Sequence, residues 1–183
     1  MYTISRKIIN CKYKIIMQSF IRRHIPQDIL HLYQHYGHKQ YFIGESLSIY
    51  NHSIKTAELM RNMKNVTDNN IIAAFLHDYG HIVQQTFTNP LITNHDEQHE
   101  LVGAQALRLR GFSEQIVRPI ELHVMAKRYL LTKNPSYSVT PASLKSFELQ
   151  GGYLTESECV SFENDPYFHD SLNLRYCDDN GKE

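Results

Sequence analysis

A histidine and an aspartate stand together at the end of an apolar run in the stretch IIAAFLHDYGH, residues 71–81, and a second histidine follows four positions on. Titratable groups placed where an interior begins are costly to bury unless something pairs them. His77 can offer a ring nitrogen to a metal ion, and Asp78, with its two oxygens, can bridge two cations. The alternative is that the pair caps a helix C-terminus, where the dipole favours a histidine but not an aspartate. Further ligand types recur along the chain at His52, His99, His123 and Asp178. Taken singly, each reads as an ordinary surface or capping residue. Together, His52, His77, His99, His123, Asp78 and Asp178 supply enough nitrogen and oxygen for two borderline metals with positions left open. An all-oxygen magnesium site would not need so many imidazoles. His81 completes an HxxxH spacing, but the zinc-protease pattern requires Glu after the first histidine. Asp78 stands there instead, and Gly80 is expected to break the helix before His81. His81 is better placed to move a proton or to hydrogen-bond an anion.

A second constellation is polar and helically spaced. Ser143, Ser146 and Gln150 fall at i, i+3 and i+7, so they share a face, and His123 and Lys127 are i, i+4. An ammonium, two hydroxyls and an amide make a cradle for a phosphate or phosphonate. The competing reading is a solvated face, because Ser and Gln are surface residues by default.

These groups need scaffolding, and the punctuation of the chain predicts an all-α fold, one compact helical bundle. Pro26 and Gly37 bracket a helix with Ile29, Leu32, Tyr33 and Tyr36 at helical spacing. A second helix spans about residues 47–63, with Ile49, Ile54, Leu59 and Met63 on its apolar side. Thr67 and Asp68 are good caps for a third, from about Asn69 to Tyr79, ended by Gly80. A fourth covers 97–110 with Val102, Ala106 and Leu109 as its apolar positions, and a fifth runs from Ser113 to about Leu131, disturbed by Pro119. Thr140 and Pro141 open the next helix, closed by Gly151 and Gly152. Thr155 with Glu158 fits a capping box, and Asp165 with Pro166 starts the last helix. No stretch alternates with period two.

The bulk numbers agree with one domain. The chain has 183 residues, 42% hydrophobic and 21% charged, and its 19 basic and 19 acidic residues cancel. Net charge gives no reason to expect a nucleic-acid or membrane-surface partner. Eleven histidines and no tryptophan are the departures from average. Cys11, Cys159 and Cys177 are odd in number and far apart, which suits a reducing compartment, and a cytoplasmic location is expected. No apolar run approaches a membrane span. Residues 1–26 carry Arg6, Lys7, Lys12, Lys14, Arg22 and Arg23 before any acid. They read as a basic N-terminal extension ahead of a domain over 27–183, with an organelle transit peptide or an upstream start before Met17 as alternatives.

The order His52, His77-Asp78, Asp178 resembles the HD-domain superfamily of helical metalloproteins, mostly phosphohydrolases. More specifically the chain is similar to the HD-domain mixed-valent diiron oxygenases that cleave organophosphonates, above all the glycine-forming members acting on 2-amino-1-hydroxyethylphosphonate. The similarity spans about residues 41–182 and is carried by IGES (43–46), AAFLHDYGH (73–81), HELVGAQAL (99–107), HVMAKRYL (123–130), TPASLKSFELQGG (140–152) and LRYCDD (174–179). The resemblance implies an HD-type bundle holding two Fe ions, Fe(II)/Fe(III), with dioxygen as co-substrate. His52, His77, Asp78 and Asp178 would hold the first iron and Asp78, His99 and His123 the second. It implies that His81, Lys127, Ser143, Ser146 and Gln150 grip the phosphonate, that His81 and Lys127 serve the chemistry, and that Glu45 receives the substrate's amino end. The product side would be phosphate and, for the aminoethyl substrate, glycine.

One position departs from the glycine-forming pattern. Those enzymes carry a gating tyrosine three residues before the Glu; here Phe42 stands there and Tyr41 lies one further back. A phenyl ring cannot ligate iron, so substrates with a trimethylated amine, or the smaller hydroxymethylphosphonate, stay open beside the aminoethyl compound. A metal-dependent phosphohydrolase is the alternative from the wider superfamily, and a metal or anion sensor the non-catalytic one.

Overall fold

The computed structural model describes residues 16–38, 47–87 and 98–182. Their order is α1 (16–24), α2 (Gln27–Tyr36), α3 (Ile49–Arg61), α4 (Asp68–Leu76), α5 (Tyr79–Phe87), α6 (His99–Leu109), α7 (Glu114–Lys133), α8 (Pro141–Leu149), α9 (Glu156–Glu163) and α10 (Phe168–Asn180), with no strand among the described residues. The fold is an all-α helical bundle. Helix α7 is its axis, packed by α4, α6 and α10, while α3 lies against α4 and α10 and α5 against α6.

Local chemistry sets most boundaries. Ser48 caps α3 by accepting from the Asn51 amide, and Thr67 with Asn70 forms a reciprocal capping box on α4. Thr140 accepts from the Ser143 amide behind Pro141, and Thr155 with Glu158 caps α9, both as expected from the spacing. Gly151 and Gly152 close α8 at φ of 100° and 64°, where a side chain would be strained. The last helix begins at Phe168, two residues after the expected Pro166, because Asp165 spends its carboxylate on the Tyr167 amide and makes a turn first. Helix α7 continues through Pro119, which lies in its second turn.

Three expectations change. Gly80 does not stop a helix; it lies in α5, an element that the apolar period did not reveal. A Cβ there would fall 1.8 Å from the His99 carbonyl oxygen, and Gly103 faces it from α6, so the glycine exists to let two backbones meet. In α6 the inward residues are His99, Gly103, Ala104 and Leu107, whereas Leu109 is 78% exposed. The third correction concerns the N-terminal segment. Met17, Ile21 and Ile25 are in the core, so the described residues 16–25 pack as part of the bundle rather than as an extension of it.

The main core is aromatic at its centre. Tyr33 and Phe75 rings lie 4.7 Å apart, and the Tyr33 hydroxyl donates to the Phe75 carbonyl at 3.0 Å, so its polar end is satisfied. Fully burying a side chain such as Phe75 or Leu76 contributes roughly 1.5–3 kcal/mol. This core holds α4 rigid up to Leu76. The residues that follow are polar and equally buried.

Candidate metal centre and anion cradle

Helix α4 ends at Leu76, and α5 begins at Tyr79; the two residues between form a tight turn, with the His81 amide donating to the Asp78 carbonyl at 3.1 Å. On a continuous helix adjacent side chains diverge by about 100°. Breaking the helix here lets His77 and Asp78 both turn inward, at 0% and 1% exposure. Asp78 therefore precedes α5 at its positive pole, so the dipole argument against an acidic cap does not apply to it.

Asp78 divides its two oxygens between two ligand sets. Its Oδ2 lies 3.1 Å from His77 Nε2 and 3.6 Å from His52 Nε2. Asp178 Oδ1, from α10, lies 3.0 Å from the same His52 nitrogen and 3.6 Å from that of His77. On the other side, Asp78 Oδ1 is 3.6 Å from His99 Nε2, which is 3.1 Å from His123 Nε2. The buried triads His52, His77, Asp178 and Asp78, His99, His123 are thus each compact enough for one metal ion, and they meet at Asp78.

The donor chemistry fits cations at both points. His77 Nδ1 donates to the Ala74 carbonyl at 2.9 Å and His123 Nδ1 to the Ile120 carbonyl at 2.6 Å, which turns both Nε2 atoms inward. Burial opposes a charge on His77, yet the carboxylates of Asp78 and Asp178 outweigh it and push the imidazole up to about 10. The same burial would raise the carboxyl of Asp78, but His77, His81 and His52 hold it well below the carboxylate range. The local field therefore favours positive charge. His123 is held well below its ordinary value, by burial first and then by His99 and His77, so its nitrogen presents a lone pair to its neighbour. Asp78 Oδ2 is buried, and its nearest nitrogen, His77 Nε2 at 3.1 Å, forms an ion pair with it outside good hydrogen-bond geometry. A neutral His123 nitrogen 3.1 Å from that of His99, beside the buried oxygens of Asp78, forms a donor set that a cation at each point would complete.

The expected cradle lies on α7 and α8. Lys127, 3% exposed, donates to Ser146 Oγ at 2.9 Å, and Ser146 in turn donates to the Ser143 carbonyl. Ser143 is buried, and Gln150 follows as the C-cap of α8. The His81 ring stacks on His99 with centroids 3.9 Å apart, beside the second triad. Glu45, with Tyr41 and Phe42, lies outside the described residues.

Four residues that sequence reasoning missed surround Asp178. Arg175 Nη1 pairs with Asp178 Oδ2 at 2.7 Å, and its Nε and Nη2 hold Asp179, which also takes the Tyr137 hydroxyl. Lys182 Nζ reaches Asp178 Oδ1 at 3.0 Å and Ser143 Oγ at 3.1 Å. Burial would raise the Asp178 carboxyl, but Arg175 and Lys182 dominate and hold it well below its usual range. Arg175 and Asp179 lie in the LRYCDD stretch, and i, i+3 and i, i+4 charge pairing was the available signal.

The sequence matches the HD domain family over residues 49–139. It is 40% identical over 151 residues to hydroxymethylphosphonate dioxygenase of Gimesia maris, a match covering 79% of this chain and 73% of that one. It is 30% identical over 163 residues to 1-hydroxy-2-(trimethylamino)ethylphosphonate dioxygenase (glycine-betaine-forming) of Leisingera caerulea, covering 88% of this chain and 82% of the relative. The chain belongs to the HD-domain phosphonate dioxygenase family. An uncharacterized protein of Acanthamoeba polyphaga mimivirus is 35% identical over 175 residues, covering 94% and 78%. The HD match includes His52, His77, Asp78, His99, His123 and Lys127 but ends before α8 and α10. In this HD-domain phosphonate dioxygenase family member, the serines and Asp178 come back to the site through the bundle. Among the described residues no helix is long and apolar enough to cross a membrane.

Proposed function

We propose that the protein cleaves the carbon–phosphorus bond of a small 1-hydroxyphosphonate with dioxygen, at an Fe(II)/Fe(III) centre held by His52, His77, Asp78, His99, His123 and Asp178. The observation that carries this reading is the division of the Asp78 oxygens between two buried triads. What the iron pair supplies when bound is Lewis acidity toward the substrate's hydroxyl and phosphonate oxygens, and electrons and a position for dioxygen.

The chain's own residues would do the rest. His77 and His123, anchored through Nδ1 to backbone carbonyls, keep their Nε2 atoms aimed inward without reorganisation. Lys127, with Ser143, Ser146 and Gln150, would grip the phosphonate, so that alcohol and dioxygen meet in one geometry. His81, stacked on His99, would hold or move a proton near the reacting carbon. Glu45 would read an amine where the substrate has one. The buried faces of α4, α7 and α10 around the two triads would limit water at this step.

Two substrates draw support from different observations. The resemblance to glycine-forming enzymes favours 2-amino-1-hydroxyethylphosphonate, which with one dioxygen gives glycine and phosphate. Phe42, and 40% identity to a relative named for hydroxymethylphosphonate, favour that smaller compound, which with one dioxygen balances to formate and phosphate. An oxygen electrode and a phosphate assay with iron(II), ascorbate and each compound, the trimethylated one included, decide the matter. Oxygen uptake and phosphate release in equal amounts are expected from at least one. Silence on all three would end this reading and leave a metal or anion sensor, and phosphate released from a phosphate ester under strict anaerobiosis would replace it with a hydrolase.

A further inference from the structure

Lys182 lies just past α10, three residues beyond the LRYCDD stretch, and belongs to neither the two ligand triads nor the expected cradle. Its side chain is 5% exposed, and its Nζ sits between Asp178 Oδ1 at 3.0 Å and Ser143 Oγ at 3.1 Å. That oxygen of Asp178 is the one facing His52 Nε2. Ser143, in turn, is the third residue of α8, within the first turn whose amide dipoles point toward anions.

A counterion role accounts for only part of the placement of Lys182. Asp178 already has a partner in Arg175, which reaches the other carboxylate oxygen at 2.7 Å. Lys182 also lies 3.7 Å from Asp179 Oδ1, so Arg175 and Lys182 together match the two acids, and what that pairing leaves unexplained is the hydrogen bond to a hydroxyl of the cradle. Lys127 provides the comparison: it enters from α7 and holds Ser146, three residues along the face that carries Ser143. The hydroxyls of one α8 face are therefore each engaged by a lysine, from elements on two sides. Two buried ammonium groups set beside hydroxyls of one helix face suit an anion carrying two charges.

The backbone is shaped to place this lysine. A Cβ on Gly181 would lie 2.7 Å from Thr56 Oγ1, so glycine lets the segment close against α3, where Thr56 donates to the His52 carbonyl. We propose that Lys182 is a second phosphonate-binding cation, acting across the site from Lys127. This rests on the oxygenase reading of the site.

The test is anaerobic titration of hydroxymethylphosphonate into iron-loaded protein by calorimetry, with iron content and melting temperature measured on every sample. Lys182→Met is expected to keep its iron and bind the phosphonate about ten- to a hundredfold more weakly, the range for losing a charge-assisted hydrogen bond. Lys182→Arg should recover most of that loss. Should Lys182→Met melt too low to load iron, Lys182→Gln, which keeps a donor but no charge, is read for the same weakening. Unchanged phosphonate affinity in the uncharged variant, or a loss matched by loss of iron, overturns the assignment and leaves Lys182 as a support for Asp178. A wild-type protein that takes up iron but binds none of the three candidate phosphonates, each titrated in turn, would instead fell the oxygenase reading, and this inference with it.

Discussion

Helix α7 carries two charged clusters, and they differ in what completes them. Toward the surface, Arg118 pairs with Glu121 at 2.5 Å and Asp165 at 2.8 Å, while Arg108 meets Glu121 and Glu114, both at 2.7 Å. Every carboxylate there faces a guanidinium, and the signs alternate until the network closes on itself. Inside, His123 from the same helix faces another imidazole nitrogen at 3.1 Å, and Asp78 keeps a buried oxygen that no donor meets in good hydrogen-bond geometry. The first arrangement is complete as protein; the second is complementary to positive charge. Charge clusters that close on themselves are structural, and acceptors that converge on each other mark a site.

The sharpest way to break this comparison is to remove one acid from each cluster. Asp78→Asn takes the shared carboxylate from both triads, and iron per chain should fall toward zero with turnover at background. Asp165→Asn removes a partner of Arg118 in the partly buried outer network and should cost roughly 1–3 kcal/mol, with iron and turnover retained. Metal analysis and denaturant unfolding on both variants decide it. Two irons on Asp78→Asn would end the bridging role.

A second variant separates the clusters through the backbone that spaces them. Gly80→Ala drives a methyl into the His99 carbonyl, so α6 must move, and overpacking of this kind costs roughly 1–3 kcal/mol. Because His99 belongs to one triad only, iron occupancy should drop further than the stability loss alone accounts for. The Arg108 network, one residue before the end of α6, should keep its salt sensitivity. A variant with full iron content would mean that α6 yields without disturbing the site.

These two variants also mark where the sequence was readable. His52, His77, His99, His123, Asp78 and Asp178 could be named in advance because imidazoles and acids set among apolar helical positions are costly to bury without a cation between them, and all six converge. Caps were equally legible, since Thr67, Thr140 and Thr155 act within three residues of themselves. Helix α5 was not, because Gly80 looks like a stop signal until α6 is in place against it. Leu109 was read as inward because an apolar residue at helical spacing does not say which of two faces is covered. Arg175 and Lys182 escaped for the opposite reason. A cation beside acids reads as a solvated pair, and only the fold shows that it is buried against a carboxylate of the site.

The smallest effect sharpens the comparison by pH. The Arg108 hydrogen bonds, against the opposing effect of partial burial and with help from Arg118, hold the Glu121 carboxyl down at about 2 from an ordinary 4.5. A carboxyl lower in the folded than in the unfolded chain adds stability that is complete above pH 4.5 and drains as pH falls toward 2. Glu121→Gln removes that share, so its unfolding midpoint should change less than that of the wild type between those limits. The two proteins should differ most at neutral pH and converge as the acid limit is approached. Urea titrations at several acid pH values read the two slopes. The inner acids Asp78 and Asp178 are also held below their usual range, and both proteins lose their contribution alike. Parallel slopes would therefore remove Glu121 from the acid sensitivity, and its pairing with Arg108 would be closed in geometry but idle in energy.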